Sequence, residues 1–354
     1  MSDTTSSRIR RAIGIKDTIT HQHEEEKKTP LLESISELIR CDKMISTGST
    51  LLDLCISGLR VRGGGIPGGM VAEFFGPPGI GKTAILEELA SSATVRGGSV
   101  RYLDPEGRLD REYARIFGVN ITEEDYFKPN TVSEMFKSIW NWDPPTKDNI
   151  NVLATDSLAA LSTELEMDNE DGDKMGMKRA KDFSAGFRKT ARQLSNSRVL
   201  LACSNQTRSE GTPGGEAIKF YSSLRVSMTK PFQNHQLKRT KTIGKSTTEK
   251  VFGIRAQCQI IKNDIDDCFR KCYVSIIFGY GLDDIRENLI YLLENTGKDR
   301  FEFQGNSWAK TQIQKAIDWV EENKAEDALR QEVTTLWEGI ESQLKQSRVP
   351  KRRM

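Results

Sequence analysis

One short stretch of this chain has glycine, lysine and threonine in the order that suits a phosphate-binding loop. It runs Gly76-Pro77-Pro78-Gly79-Ile80-Gly81-Lys82-Thr83 and continues into Ala84. In such a loop the backbone N–H groups point at an anion, the lysine reaches the β- and γ-phosphates, and the hydroxyl residue faces Mg²⁺. An ordinary Gly-Pro turn that matches by chance is the alternative. Because an apolar run precedes the loop and a helical pattern follows it, we predict a nucleoside triphosphate site.

Two acidic residues could complete the chemistry of triphosphate hydrolysis. Asp156 ends an apolar run, which is typical of an acid that holds Mg²⁺ directly or through water. It could equally cap a helix that starts at Ser157. Glu106 lies in Asp104-Pro105-Glu106-Gly107, where a carboxylate could align and deprotonate the attacking water. An exposed acid in a turn is the alternative for this residue.

Four short apolar runs predict the strands that must position these side chains. They cover residues 70–75, 99–104, 150–156 and 198–204 and alternate with helical stretches. This alternation indicates an α/β fold with a mostly parallel sheet and helices on both faces. Polar chemistry in such folds belongs at the carboxyl ends of the strands, where Asp156 and Glu106 lie.

Composition narrows the class of protein. The 354 residues can form a full core and a smaller second domain, and the net charge of +2 gives no global field for nucleic acid. The cysteines are scattered without a paired framework, which favours free thiols in a reducing, cytoplasmic compartment. Cys268 and Cys272 are spaced for a metal, but no histidine or third cysteine is near. Because no run of 18 apolar residues occurs, we expect neither a membrane span nor secretion.

Further motifs give the chain a resemblance to a known family. They are residues 45–49, 104–110, 155–161, 175–176, 205–208 and 214–225, in that order along the chain. With the phosphate loop they make the chain similar to the RecA-type DNA recombinases, and most similar to the bacterial ones, over residues 31–336. The resemblance implies a RecA-like P-loop ATPase core with a mostly parallel central sheet, an N-terminal helical arm and a small C-terminal α+β lobe. The expected boundaries are 1–47, 48–284 and 285–354.

The family's activity supplies an expected function. The resemblance implies a DNA-dependent ATPase that uses ATP and Mg²⁺, forms helical filaments on single-stranded DNA, and pairs that strand with a homologous double-stranded DNA in recombination and repair of DNA damage. A second hypothesis is a recombinase-like paralogue that binds ATP and DNA as an accessory module and hydrolyses weakly. A third is a hexameric helicase on the same fold.

The resemblance also assigns roles to residues. Lys82, Glu106 and Gln206 would be catalytic, with Gln206 sensing the γ-phosphate, and Thr83 and Asp156 would hold the metal. Residues 76–84 with Asp110 and Tyr113 would bind the nucleotide, although Tyr113 could also be a core residue of a helix. The predicted DNA contacts are Ser184, Arg188, Arg208, Gly214 and Gly215. The predicted subunit contacts are Phe220 and Lys262. Arg188 on a solvated helix face and Phe220 in the core are the alternatives for those two.

Three departures from the bacterial pattern bear on activity. Asp264 follows Lys262-Asn263 where the family has a second lysine, so either hydrolysis at the subunit interface is slow or another cation, such as Lys219 or Arg225, substitutes. The second DNA loop, 207–214, has no large apolar residue, so we expect weak wedging between bases. The predicted first DNA loop, 164–183, begins with acidic residues and ends with basic ones. The basic tail, 345–353, could attract duplex DNA or only aid solubility.

Overall fold

The structure is a computed structural model that describes residues 43–119, 121–164, 175–207, 215–233, 235–244 and 246–345. Residues 1–42 of the predicted N-terminal arm, the DNA contacts Arg208 and Gly214, and most of the basic tail lie outside these ranges. Two compact units are present within the described residues. One ends at Asp284 and the other begins at Ile285.

The first unit is built on a large mixed sheet. Its ten described strands are β1 (Met70–Gly76), β2 (Val100–Leu103), β3 (Tyr126–Phe127), β4 (Asn151–Thr155), β5 (Val199–Gln206), β6 (Leu224–Thr229), β7 (Gln236–Ile243), β8 (Ser246–Asn263), β9 (Lys271–Ile277) and β10 (Gly281–Leu282). The strand order is β10-β9-β8-β6-β1-β5-β4-β2-β3, and β7 pairs with β8. Strands β6, β1, β5, β4, β2 and β3 pair in parallel, whereas β7 to β10 are antiparallel.

Helices cover the sheet and explain why its central strands are continuous apolar runs. Those described in this unit are α1 (Thr50–Ser57), α2 (Lys82–Val95), α3 (Arg111–Ile116), α4 (Val132–Trp140), α5 (Met175–Leu194) and α6 (Gly215–Tyr221). Every residue of β4 is buried, as is every residue of β5 except the last. A strand that is covered on both faces has no face in solvent, so its sequence does not alternate between polar and apolar residues. The predicted parallel core is confirmed.

An aromatic cluster fixes α5 against α4. The Phe136 ring lies 5.1 Å from that of Phe187 and 6.4 Å from that of Phe183, both edge-on. The two α5 rings stack at 5.8 Å, and all three side chains are buried. The chain is helical from Met175, and this helix places the apolar face made by Phe183 and Phe187 against α4. The prediction of a loop over 164–183 is therefore wrong in its second half.

The second unit is a small α+β lobe, as predicted. It contains most of α7 (Asp284–Thr296), the antiparallel strands β11 (Arg300–Phe303) and β12 (Asn306–Ala309), and helices α8 (Ile313–Glu322) and α9 (Glu326–Leu344). The rings of Phe303 and Trp308 lie 6.0 Å and 5.7 Å from that of Trp319, which anchors the hairpin to α8. None of the helices described in either unit combines the length and the apolar character needed to cross a bilayer.

Candidate active site

The phosphate loop connects the end of β1 to the start of α2. Gly79 and Gly81 adopt φ of 68° and 95°, in the left-handed region that favours glycine. A Cβ at Gly79 would meet nothing within 4 Å, so this part of the loop faces open space. A Cβ at Gly81 would lie 1.9 Å from Cδ1 at the end of the Ile276 side chain, which would have to move, so the backbone conformation is the stronger reason for glycine there. The loop is therefore an open concave backbone in front of a helix N-terminus, which suits an anion.

Lys82 is held inside this loop. Its Nζ donates to the carbonyl oxygens of Gly76 (3.1 Å) and Pro77 (2.8 Å), and the residue is buried. Burial lowers the pKa of Lys82, while the carboxylates of Asp156 and Glu106 act in the opposite direction. An ammonium group that has lost water to this extent is stabilised by a further anion close by. A triphosphate at the loop meets that requirement.

Two oxygen-bearing side chains that could bind a metal, those of Thr83 and Asp156, meet at the carboxyl end of β4. The Thr83 hydroxyl donates to Oδ2 of Asp156 at 2.6 Å, and the Ser204 hydroxyl donates to its Oδ1. Burial raises the pKa of Asp156, and these two hydrogen bonds oppose the rise. A hydroxyl and a carboxylate side by side fit Mg²⁺, which prefers oxygen ligands. No group of three or more His, Cys, Asp and Glu in the described ranges could hold a metal alone, so phosphate and water would complete the shell.

The Glu106 carboxylate lies across the same cavity. Its Oε1 accepts from the Ser157 hydroxyl at 2.8 Å and from the Gln206 amide at 3.4 Å, and its Oε2 pairs with Arg108 at 2.8 Å. The Glu106 side chain is 18% exposed and that of Arg108 79%, so the carboxylate is sheltered while its cation is exposed to solvent. A carboxylate held at two oxygens is oriented for the role of a base.

The cavity brings five of the eleven predicted nucleotide-binding residues together with the predicted catalytic and metal residues. It has a volume of about 450 Å³, and its lining includes Pro78, Gly79, Lys82, Thr83, Glu106, Asp110, Asp156 and Gln206. The position of the Tyr113 side chain lies outside the described part of the chain. The acidic and amide side chains of the lining come from the carboxyl ends of β2, β4 and β5 or the loops after them, as the parallel sheet predicts, and Lys82 and Thr83 begin the helix after the phosphate loop.

Sequence reasoning missed the residues that support these groups. Asp104 is buried and accepts from the Tyr126 hydroxyl (2.7 Å) and from the Leu109 backbone N–H (2.7 Å), which fixes the turn that carries Glu106. Ser204, on the strand beside Asp156, fixes that carboxylate. A positional signal existed for Asp104, which follows β2 and stands two residues before Glu106. None existed for Ser204, because its partner Asp156 belongs to another strand.

The predicted DNA contacts that are described lie on two neighbouring helices. Ser184 and Arg188 are one turn apart on α5, and Gly215 begins α6, which packs against α5. The exposed Arg188 donates through Nε to the Tyr221 hydroxyl on α6 at 3.0 Å. The two helices thus form one surface that carries a guanidinium, a hydroxyl and a helix N-terminus.

The predicted subunit contacts lie at the other end of α6. Phe220 is 74% exposed, so it is not a core residue of this chain. Nζ of Lys262 donates to the carbonyl oxygens of Phe220 (2.8 Å) and Lys219 (3.3 Å), which satisfies the end of the helix. Of the two cations that could replace a second lysine, Arg225 is buried in an ion pair with Glu73 at 2.5 Å. Lys219 is the more accessible one.

Comparison with known proteins is consistent with this geometry. Residues 23–283 match the family model of the RecA N-terminal domain. Protein RecA of Parasynechococcus marenigrum (strain WH8102) is 31% identical over 309 residues, covering 82% of this chain and 77% of that protein. Protein RecA of Thermus aquaticus is 32% identical over 253 residues, or 69% of each chain. Protein RecA of Trichodesmium erythraeum (strain IMS101) is 30% identical over 301 residues, or 79% and 76%.

Proposed function

The chain belongs to the RecA family of recombinases, and we propose that it is a DNA-dependent ATPase that forms helical filaments on single-stranded DNA and promotes homologous pairing and strand exchange. One observation carries the proposal. The phosphate loop, the Thr83–Asp156 pair and the Glu106–Gln206 pair line a single cavity, and Gln206 ends the strand that leads into the predicted second DNA loop.

In this proposal each residue of the cavity has a defined task. Lys82 neutralises charge on the triphosphate, and Thr83 and Asp156 hold Mg²⁺, which supplies further positive charge at the phosphates when bound. Glu106 orients a water molecule and accepts its proton, for which the hydrogen bonds from Ser157 and Gln206 keep its carboxylate in place. Asp110 and Tyr113 would bind the adenine, the former as a hydrogen-bond partner and the latter with its ring face.

Gln206 is proposed to connect nucleotide and DNA. Its amide contacts Glu106, and its backbone continues directly into residues 207–214. A change in the charge that faces Glu106 would therefore move the first residue of the loop. Arg208, Gly214 and Gly215 at that loop, with Ser184 and Arg188 on α5, are the proposed contacts to the DNA backbone. Guanidinium, hydroxyl and backbone N–H groups bind phosphates without regard to sequence.

Filament assembly is assigned to α6 and its surroundings. The exposed ring of Phe220 would pack on a neighbouring subunit, and Lys262 would reach the neighbour's nucleotide. We propose that 48–284 is the ATPase core, 285–354 the small lobe with its tail, and 1–47 the docking arm. A cytoplasmic protein with single- and double-stranded DNA as partners follows from the same proposal.

Phosphate release from purified protein tests the proposal. We expect single-stranded DNA to stimulate ATP hydrolysis several-fold, and Lys82→Ala to abolish both hydrolysis and the ATP-dependent part of DNA affinity. Lys310→Ala, at a lysine in the second unit whose side chain is 58% exposed, is the matched control and should behave as wild type. Electron microscopy with an ATP analogue should show open helical filaments. Hydrolysis that ignores DNA at every salt concentration, or closed rings, would contradict the proposal.

A specific observation favours the accessory paralogue as second candidate. Asp264 stands in place of a cation, and Arg225 is committed to Glu73 within its own subunit. A carboxylate cannot stabilise negative charge that grows on a phosphoryl group. Under this hypothesis Asp264→Lys should raise turnover in filaments while leaving unassembled protein unchanged. Efficient strand exchange by the unmodified protein alone would remove the accessory role.

A further inference from the structure

Three buried polar side chains connect the strand of the phosphate loop to the strands on both sides of it. Glu73 lies on β1, Asn205 on β5 and Arg225 on β6, and β1 runs between the other two. Glu73 and Asn205 are fully buried, and Arg225 is 7% exposed. In the sheet register Glu73 stands opposite Arg225, and Phe75 stands opposite Asn205. Asn205 lies near the carboxyl end of β5, Glu73 in the middle of β1 and Arg225 near the amino end of β6.

The contacts of this Glu73–Asn205–Arg225 triad use both carboxylate oxygens. Nε of Arg225 lies 2.5 Å from Oε2 of Glu73, and the Asn205 amide donates to Oε1 at 2.8 Å. The Arg225 guanidinium also stacks over the Phe75 ring, 4.5 Å from its centroid. Charge-assisted bonds of this kind fix the relative positions of the groups they join.

The triad reaches the start of the second DNA loop. Oδ1 of Asn205 accepts from the backbone N–H of Gln206 at 3.0 Å, and the Gln206 side chain contacts Glu106. Arg225 is the second residue of β6, the strand that follows α6. Gln206, at the start of the loop, and Arg225, beyond α6, are therefore both tied through Glu73 to the strand that carries the phosphate loop.

Stability alone does not account for charges at this place. Replacing a buried ion pair with apolar side chains of similar volume is often neutral or stabilising, whereas the charged pair fixes geometry. We propose that Glu73, Asn205 and Arg225 are positioning residues that couple the nucleotide cavity to the second DNA loop. They would hold Gln206 and the start of β6 in one register with the phosphate-loop strand, so that the position of Gln206 depends on that strand. This inference rests on the proposed function.

The test is the effect of nucleotide on DNA affinity. The double variant Glu73→Leu/Arg225→Met removes both charges together and so leaves no unpaired ion in the core. Single-stranded DNA affinity is measured with a non-hydrolysable ATP analogue and with ADP, and the ratio of the two dissociation constants is the readout. We expect the double variant to lower that ratio by at least about fivefold, the smaller end of typical coupling between sites. Its affinity for the ATP analogue and its unfolding midpoint should stay close to wild type.

A second variant and a control keep the inference open to refutation. Asn205→Ala removes the link to Gln206 and keeps the Arg225–Glu73 ion pair. This variant should also lower the ratio of the two dissociation constants. Cys203→Ala, at the β5 residue opposite Glu73, removes buried volume from the same strand and should leave the ratio unchanged. Folded variants with a wild-type ratio, or failure of both variants to fold, would overturn the inference. A wild-type protein whose DNA affinity ignores nucleotide would instead refute the proposed function.

Discussion

Glu87 offers a quantitative test of how α2 is buried. The residue lies one turn beyond Thr83, is fully buried, and has no hydrogen-bond partner for either carboxylate oxygen within the described chain. Burial raises the pKa of Glu87 from 4.5 to about 8. The Tyr102 side chain acts against the rise. The acid is therefore protonated in the folded protein at neutral pH.

The sign and size of the effect on stability follow from this shift. A folded state that holds a proton more tightly than the unfolded chain is favoured at low pH. The contribution of Glu87 is complete below about pH 4.5 and is lost as the pH rises to about 8. Within this window the loss is about 1.4 kcal/mol per pH unit. Glu87→Gln cannot titrate, so the free energy of unfolding of wild type relative to the variant should fall by about 3 kcal/mol from pH 5 to pH 7.

Urea denaturation followed by circular dichroism at several pH values between 5 and 8 measures this difference. Subtracting the variant from the wild type removes the contribution of every other titrating group, including Asp53, whose pKa burial raises to about 6. Glu112→Gln, at an 87% exposed carboxylate on α3, is the control and should give a difference that does not change with pH. Stability curves for wild type and Glu87→Gln that run parallel across this range would refute the reasoning.

Three further substitutions test the site. Gly81→Ala should weaken nucleotide binding, measured by fluorescence of a labelled ATP analogue, because φ is 95° and the new Cβ would displace the end of Ile276; wild-type affinity would contradict this. Ser204→Ala should raise the Mg²⁺ concentration needed for half-maximal hydrolysis several-fold, since Asp156 loses one of its hydroxyl donors; an unchanged Mg²⁺ titration would count against that role. Phe220→Ala should shorten filaments in electron micrographs while leaving nucleotide affinity intact, and filaments of full length would exclude the ring from the interface.

The parallel half of the fold is readable from the sequence because burial on both faces leaves a continuous apolar signal. The run predicted as 150–156 corresponds to β4, and the acid at its end lies in the cavity as the topology requires. The start of α5 was not predicted, because the acidic residues before it mask the apolar face made by Phe183 and Phe187. That face becomes visible only when Phe136 of α4 is known to lie against it.

Ion-pair and hydrogen-bond partners on neighbouring strands could not be predicted from the sequence in the same way. Glu73 is an acid inside an apolar run, and its pairing with Arg225 depends on which strand follows β1 in the sheet rather than in the chain. The support of Asp156 by Ser204 has the same origin, because β4 and β5 are neighbours through a crossover connection. Single-sequence patterns describe faces and ends of elements, whereas strand order decides which polar groups meet.

Two glycines of the phosphate loop are packed against strands that come later in the chain. A Cβ at Gly76 would come within 2.1 Å of the Met228 carbonyl oxygen on β6, and a Cβ at Gly81 would meet the end of the Ile276 side chain on β9. A fragment that stops at residue 230 would keep every side chain proposed to touch the triphosphate of its own subunit and yet lose the Ile276 contact. We expect a fragment that holds nucleotide to extend at least through β9, which ends at Ile277.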